Sequence, residues 1–185
     1  MNRVPETNAL SRRRVVLAGA AAVPLAAAGL ASAQMGTPPM PAVGGGMLPP
    51  GAEEAAELAV FSGLSSEAMT TMASDPAVKE FAKLEAEEQQ TLAEIMRAGL
   101  DLAPPELSDE HSRKLEEMKG MSSGKQLDKM YLDEQVKGHE KLKELHTKLS
   151  KSGPLTVPAV AVTKLSVCAI KSHLAMLEMI RKQMN

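Results

Sequence analysis

SGKQLDKMYLDEQVKGHEKLKELHTKLSK, residues 123–151, carries one stripe that keeps helical spacing from end to end. Asp128, Tyr131, Gln135, Gly138, Leu142, Leu145 and Leu149 follow one another at steps of three and four, which places them on a single face of an α-helix. Gly153-Pro154 stops that helix. The later half of the face is leucine and the earlier half is polar, with His139 close by. A polar run on an inward line needs an explanation, and the rest of the chain bears on it.

Three more long helical patterns surround this one. The first runs from about Glu53 to Ala73, with Leu58, Phe61, Ser65, Ala68 and Met72 as its stripe. Asp75-Pro76 breaks it, and proline suits the first turn of the helix that follows. That second helix runs to about Ala98, with Val78, Phe81, Glu85, Glu88, Leu92 and Ile95 inward and Gly99 as its C-terminal cap. After Pro104-Pro105, Ser108 caps a short helix that has Asp109 and Glu110 in its first turn. The last helix begins near Pro158 and runs to about Gln183, with Ala161, Leu165, Cys168, Ser172, Ala175 and Met179 inward. Helices of about 20–28 residues span about 30–42 Å. Four of them with short links predict an all-α, up-and-down four-helix bundle with a short extra helix between the second and third. Aromatic residues are 2% of the chain (Phe61, Phe81 and Tyr131, without Trp), so Leu, Met and Ala must fill the core and β-architectures are disfavoured.

The first 33 residues read as an export signal. Ser11-Arg12-Arg13-Arg14 leads into an apolar stretch from Val15 to Leu30, followed by Ala31-Ser32-Ala33 before Gln34. Sixteen apolar residues fall short of the ~20 of a bilayer span, and the paired arginines resemble a twin-arginine signal. A periplasmic or secreted location follows, with the export machinery as a partner and the membrane met only in transit. No cysteine follows the cleavage site to take a lipid anchor. Residues 34–52 form a Pro/Gly-rich linker, with Pro38, Pro39, Pro41, Pro49, Pro50 and Gly44-Gly45-Gly46; its Met35, Met40 and Met47 are of a type that binds Cu(I). Residues 53–185 are the bundle. Without the signal, 17 basic and 22 acidic residues remain, a balance unsuited to nucleic acid. Cys168 is the single cysteine, so internal disulfides and cysteine-rich metal sites are excluded. No Gly-x-Ser-x-Gly elbow or phosphate-cradling glycine loop is present.

Polar residues interrupt every long stripe near mid-length. Helix one has Glu67, on the row Val60, Leu64, Glu67 and Thr71; helix two has Glu85, Glu88 and Gln89; helix three has Gln135 and His139, after Asp128 and Tyr131; helix four has Ser172 and His173. Burying a polar group without a partner costs about 2–7 kcal/mol. The belt is therefore a hydrogen-bond network, a metal site or a wet groove. Di-iron bundles carry paired Glu-x-x-His motifs, and here the residues three before the histidines are Ser108, Val136, Lys143 and Ile170. One ion on some of Glu67, Glu85, Glu88, His139 and His173 stays open, as does a soft-metal set of His173, Met176 and Met179. No resident cofactor is expected. His111 is read as solvated, His146 as half exposed, and Cys168 as a buried small residue.

Leu127-Asp128-Lys129-Met130-Tyr131, then Gln135 and His139, resembles the Phe-Asp-x-x-Tyr-x-x-x-Gln-x-x-x-His segment of a bacterial family of exported, ferritin-like bundles of unknown function, often labelled outer-membrane or periplasmic proteins. Glu67, Val78-Lys79-Glu80-Phe81-Ala82 and His173-Leu174 fit the same resemblance, which covers about Ala55 to Ile180. Three positions depart from it: Gln89 replaces a histidine, Cys168 a proline before the last histidine, and Leu127 the phenylalanine. The resemblance implies a ferritin-like fold and an envelope location, and no activity. Two function classes follow: a non-catalytic, stress-related envelope protein whose belt is structural or binds a small ligand or protein partner, and a metal-handling or redox bundle for iron, manganese or copper.

Overall fold

Asp75 and Pro76 set the first corner of the fold. Asp75 Oδ1 accepts the N–H groups of Ala77 (2.8 Å) and Val78 (3.3 Å), and Pro76 has no N–H to leave unsatisfied there. This corner separates α1 (Ala52–Met72) from α2 (Pro76–Leu100). The structure, a computed structural model, describes residues 49–100, 103–152 and 157–184. The export signal and most of the linker, with Met35, Met40 and Met47, lie outside the described residues. α3 (Asp109–Gly120) starts at Ser108, whose hydroxyl accepts the His111 N–H. α4 (Lys125–Leu149) and α5 (Val157–Met184) complete the set. Among the described residues there is no strand.

α1 packs along α2, and α4 along α5; α1 also lies against α4, while α2 touches α5, and α3 touches α1 and α4, more lightly. Gly51 opens α1 in the left-handed region (φ 87°), and a Cβ there would stand 3.0 Å from Leu145 Cδ2, so glycine serves both the turn and the close approach. Two apolar clusters form the core. One joins the end of α1 (Met69, Ala73), the start of α2 (Val78, Phe81, Ala82), Met118 of α3, the start of α4 (Leu127, Tyr131, Leu132) and the end of α5 (Leu177, Ile180, Met184). The other joins Ala55 and Leu58 of α1, Leu142, Leu145 and Leu149 of α4, and Ile170 of α5. Each fully buried Leu or Met side chain contributes about 1.5–3 kcal/mol.

The predicted stripe of α4 is buried as read, except that half-buried Gly138 gives its place to His139. The stripe of α2 is buried through Glu85 and then opens, with Ile95 45% exposed. α2 also runs through Gly99 to Leu100 rather than being capped there. The stripe assigned to α5 is corrected. Ala161, Leu165, Cys168, Ser172, Ala175 and Met179 all face outward, and Thr163, Ser166, Ile170, His173, Leu177, Ile180 and Met184 face the core. α5 is apolar on both sides, so periodicity offered two stripes; the true one holds its two β-branched isoleucines and the histidine that pairs across the core.

Candidate functional site

Between the two apolar clusters lies a layer of buried polar side chains. Its centre is Glu85, fully enclosed, with His139 and His173 also buried. Three atoms form a triangle: His173 Nδ1 is 3.0 Å from Glu85 Oε2, His139 Nε2 is 3.4 Å from the same oxygen, and the two nitrogens are 3.1 Å apart. Glu85 Oε2 thus has both imidazoles within ion-pair reach, yet among the described residues it accepts a well-directed hydrogen bond from neither. A buried acceptor in that state is uncommon and calls for a reason.

Everything around the triangle fixes its orientation. Glu85 Oε1 lies 2.6 Å from Ser62 Oγ and accepts from Gln89 Nε2 at 2.9 Å. Gly63 allows this approach, since a Cβ there would meet Gln89 Cβ at 3.0 Å. His139 Nδ1 is 2.8 Å from the Gln135 carbonyl oxygen; a carbonyl only accepts, so Nδ1 carries a proton, and Nε2 is the atom that faces the triangle. His173 Nε2 is 3.3 Å from Glu88 Oε2, and the Glu88 side chain is 35% exposed, which makes it the cluster's link to solvent. Phe81 covers one side, its ring 6.3 Å from His139 and 5.8 Å, edge-on, from His173. Burial pushes the Glu85 carboxyl up, but the two imidazoles and Ser62 outweigh it and hold the group far below the usual carboxylate range. Burial pushes His173 down, and Glu85 with Glu88 more than reverses that, to about 9.

A second network continues from the first along α1 and α4. The Gln135 amide donates to Ser65 Oγ (3.1 Å) and Ser66 Oγ (3.3 Å), and its oxygen is 2.8 Å from Ser62 Oγ. Ser66 Oγ and the Tyr131 hydroxyl are 2.7 Å apart, and burial drives the Tyr131 phenol well above its ordinary pKa. Asp128 does a different job. Its carboxylate accepts the Ser74 N–H (3.0 Å), the Asp75 N–H (2.9 Å) and the Ser74 hydroxyl, so it pins the α1–α2 corner.

Of the predicted site residues, the structure joins Glu85, Glu88, Gln89, His139 and His173 into one cluster, extends it through Gln135 and Tyr131, and sets Asp128 apart. Glu67 is corrected: its row, with Leu64 at 40% exposure and Thr71, faces outward, because the adjoining row Ser62, Ser65, Ser66 and Met69 turns to the core. The soft-metal set is not assembled, since Met179 is 57% exposed on the outer side of α5. Cys168 is exposed rather than buried. His111 is not solvated: it stacks on Phe61, ring centroids 4.4 Å apart, and lies 2.9 Å from Glu57. His146 is half-buried as read, its Nδ1 enclosed without a hydrogen bond among the described residues. Sequence reasoning missed Ser62, Ser66 and Gly63; the signal present was a cluster of small residues on α1 opposite the polar half of α4.

The sequence pattern of a family described as "Domain of unknown function (DUF4142)" matches residues 51–180. Comparison with curated proteins and with solved structures gives no match.

Proposed function

The chain belongs to the DUF4142 family, and from that premise we propose that it is an exported envelope protein, a ferritin-like four-helix bundle that holds one divalent first-row metal ion on Glu85, His139 and His173. The bundle reading is supported by two hairpins, α1–α2 and α4–α5, that meet through α1 on α4 and α2 on α5, with α3 as the extra helix. Export rests on the three-part signal and predicts a mature chain beginning at Gln34. Replacing Arg12 and Arg13 by lysine should stop export if the twin-arginine reading holds.

The observation that carries the metal reading is the triangle with its orphaned oxygen. A tetrahedral ion with bonds of about 2.0–2.1 Å separates its ligand atoms by about 3.3 Å. The three edges here are 3.0, 3.1 and 3.4 Å. Two imidazole nitrogens and one carboxylate oxygen suit zinc, iron, manganese or copper(II) rather than a soft monovalent ion. The outer partners fit as well: the Gln135 carbonyl fixes the His139 tautomer, Glu88 Oε2 stands 3.3 Å from His173 Nε2, and Ser62 with Gln89 occupies the other oxygen of Glu85. Three protein ligands leave a fourth position for water or a small ligand. Binding an ion there would require His173 Nδ1 to give up its proton.

A second reading keeps the layer purely structural, and the Ser62–Gln135–Tyr131 network favours it. The two separate by metal analysis of the protein purified from the envelope fraction without chelator, and by titration of the stripped protein with cobalt(II). The metal reading expects about one equivalent, a tetrahedral cobalt spectrum, and loss of both in Glu85→Gln and His139→Gln. Cobalt absorbance unchanged by those substitutions would refute it, and so would a stripped protein that takes up no ion.

A further inference from the structure

α5 carries a second stripe that its own bundle does not use. Ala161, Leu165, Cys168, Ser172, Ala175 and Met179 recur at steps of four and three on the side opposite the buried stripe. Leu165 is 70% and Met179 57% exposed, and the other four are exposed as well. Half-buried Val162, Ala169 and Met176 border the stripe on one side. A surface helix of a globular protein normally shows one apolar stripe; a helix apolar on both faces is buried on both. From Ala159 to Met184, α5 is long and apolar enough, by length and composition, to cross a membrane, yet it is docked along α4 by its inner face.

We propose that this outer stripe is the seam of a homodimer, in which α5 packs antiparallel against α5 of a second copy. The stripe is self-complementary about its own midpoint. A two-fold axis passing beside Ile170 sets Leu165 of one copy opposite Ala175 of the other, Met179 opposite Ala161, and Cys168 opposite Ser172. Every pair then matches a larger side chain with a smaller one, the condition for interdigitated helices at close separation. The charges along the other border agree. Lys164, Lys171 and Glu178 line it, and the same axis brings Lys164 of one copy beside Glu178 of the other, twice. Lys171 meets its counterpart at the axis, where both ammonium groups reach water. The seam runs about 27 Å, from Ala161 to Met179, at 1.5 Å per residue. A C2 contact of this kind uses one patch on both subunits and closes on itself. Glu85, His139 and His173 take no part in this seam, so the dimer and the metal site are separable.

The mature chain tests it by sedimentation equilibrium or light scattering, and by cross-linking. The parent should show twice its monomer mass at micromolar concentration. Leu165→Asp should return it to monomer mass while its helical circular dichroism is unchanged. Ser172→Cys places an introduced thiol opposite the native Cys168 and should give a disulfide-linked dimer under mild oxidation. Adding Cys168→Ser to that variant removes the opposing thiol and should abolish the link. A parent that stays monomeric overturns the proposal, as do equal cross-linking of the two variants and a Leu165→Asp protein that remains dimeric. A monomer that instead sediments with anionic phospholipid vesicles, and loses that in Leu165→Asp, assigns the stripe to a membrane surface and overturns it too.

Discussion

Two regions of the same core, a few helical turns apart, are buried to the same degree and built on opposite principles. The cluster around Leu127, Leu132, Leu177 and Val78 is closed mainly by shape and apolar surface. The middle layer around Glu85, His139, His173 and Gln135 encloses two ionisable rings, a carboxylate and an amide. The first gains free energy by excluding water. The second gives up hydration and recovers it only through partners, and at Glu85 Oε2 the recovery is incomplete. Replacing buried ion pairs with apolar groups is often neutral or stabilising, so stability alone gives no reason for the middle layer, and the proposed ion would supply one.

The sharpest contrast is expected from Leu177, which is fully buried in the cluster that joins the end of α1 to the start of α4. Leu177→Ala should cost about 2–5 kcal/mol and lower the melting temperature accordingly, with cobalt uptake at the remaining folded protein intact. A loss below about 1 kcal/mol by denaturant titration would mean that this end collapses freely, and the two regions would not differ as argued. Next in size is the wholesale replacement Glu85→Met, His139→Leu and His173→Leu. It should leave stability unchanged or raise it by up to about 4 kcal/mol, while abolishing metal uptake. A marked fall in the midpoint of unfolding would make the polar layer a scaffold and break the comparison.

The two regions were also unequally legible. On α4 the sequence spelled out both, because a single stripe passes from Asp128 through Gln135 to Leu149 and the opposite face is densely charged. His139 and His173 stood out as polar residues interrupting apolar lines, and Glu85 for the same reason. What periodicity could not do was choose between rival rows. On α1, Ser62 and Ser66 are small and nearly neutral in hydropathy, so the row with Glu67 looked equally good; only the partners Glu85 and Gln135 decide it. On α5 both faces are apolar, and the pairing of His173 with Glu85 selects one. Nothing local marks His111 as enclosed, because its partner Glu57 is 54 positions away and its ring contact, Phe61, lies on another helix.

The smallest effect lies at the edge of the core, where α3 is fastened to α1 by one carboxylate. Glu57 Oε1 accepts the Ser108 N–H at 2.6 Å, at the start of α3, and is 2.9 Å from His111 Nδ1. Burial pushes the Glu57 carboxyl up, but the bonds from Ser108 and His111 outweigh it and its pKa is lowered. A carboxyl with a lowered folded pKa adds stability that is fully present above its unfolded value, near 4.5, and that fades as pH falls through the folded value. Glu57→Gln keeps an acceptor for Ser108 and removes only the charge, so it should cost about 0.5–1 kcal/mol at neutral pH, the scale of a partly exposed ion pair at a helix N-terminus. The parent and variant melting curves should therefore converge as pH is lowered from 6 into the range below about 4.5, with the middle layer present in both. A gap that stays constant across that range would show that the Glu57 charge contributes nothing to fastening α3, and that its packing does.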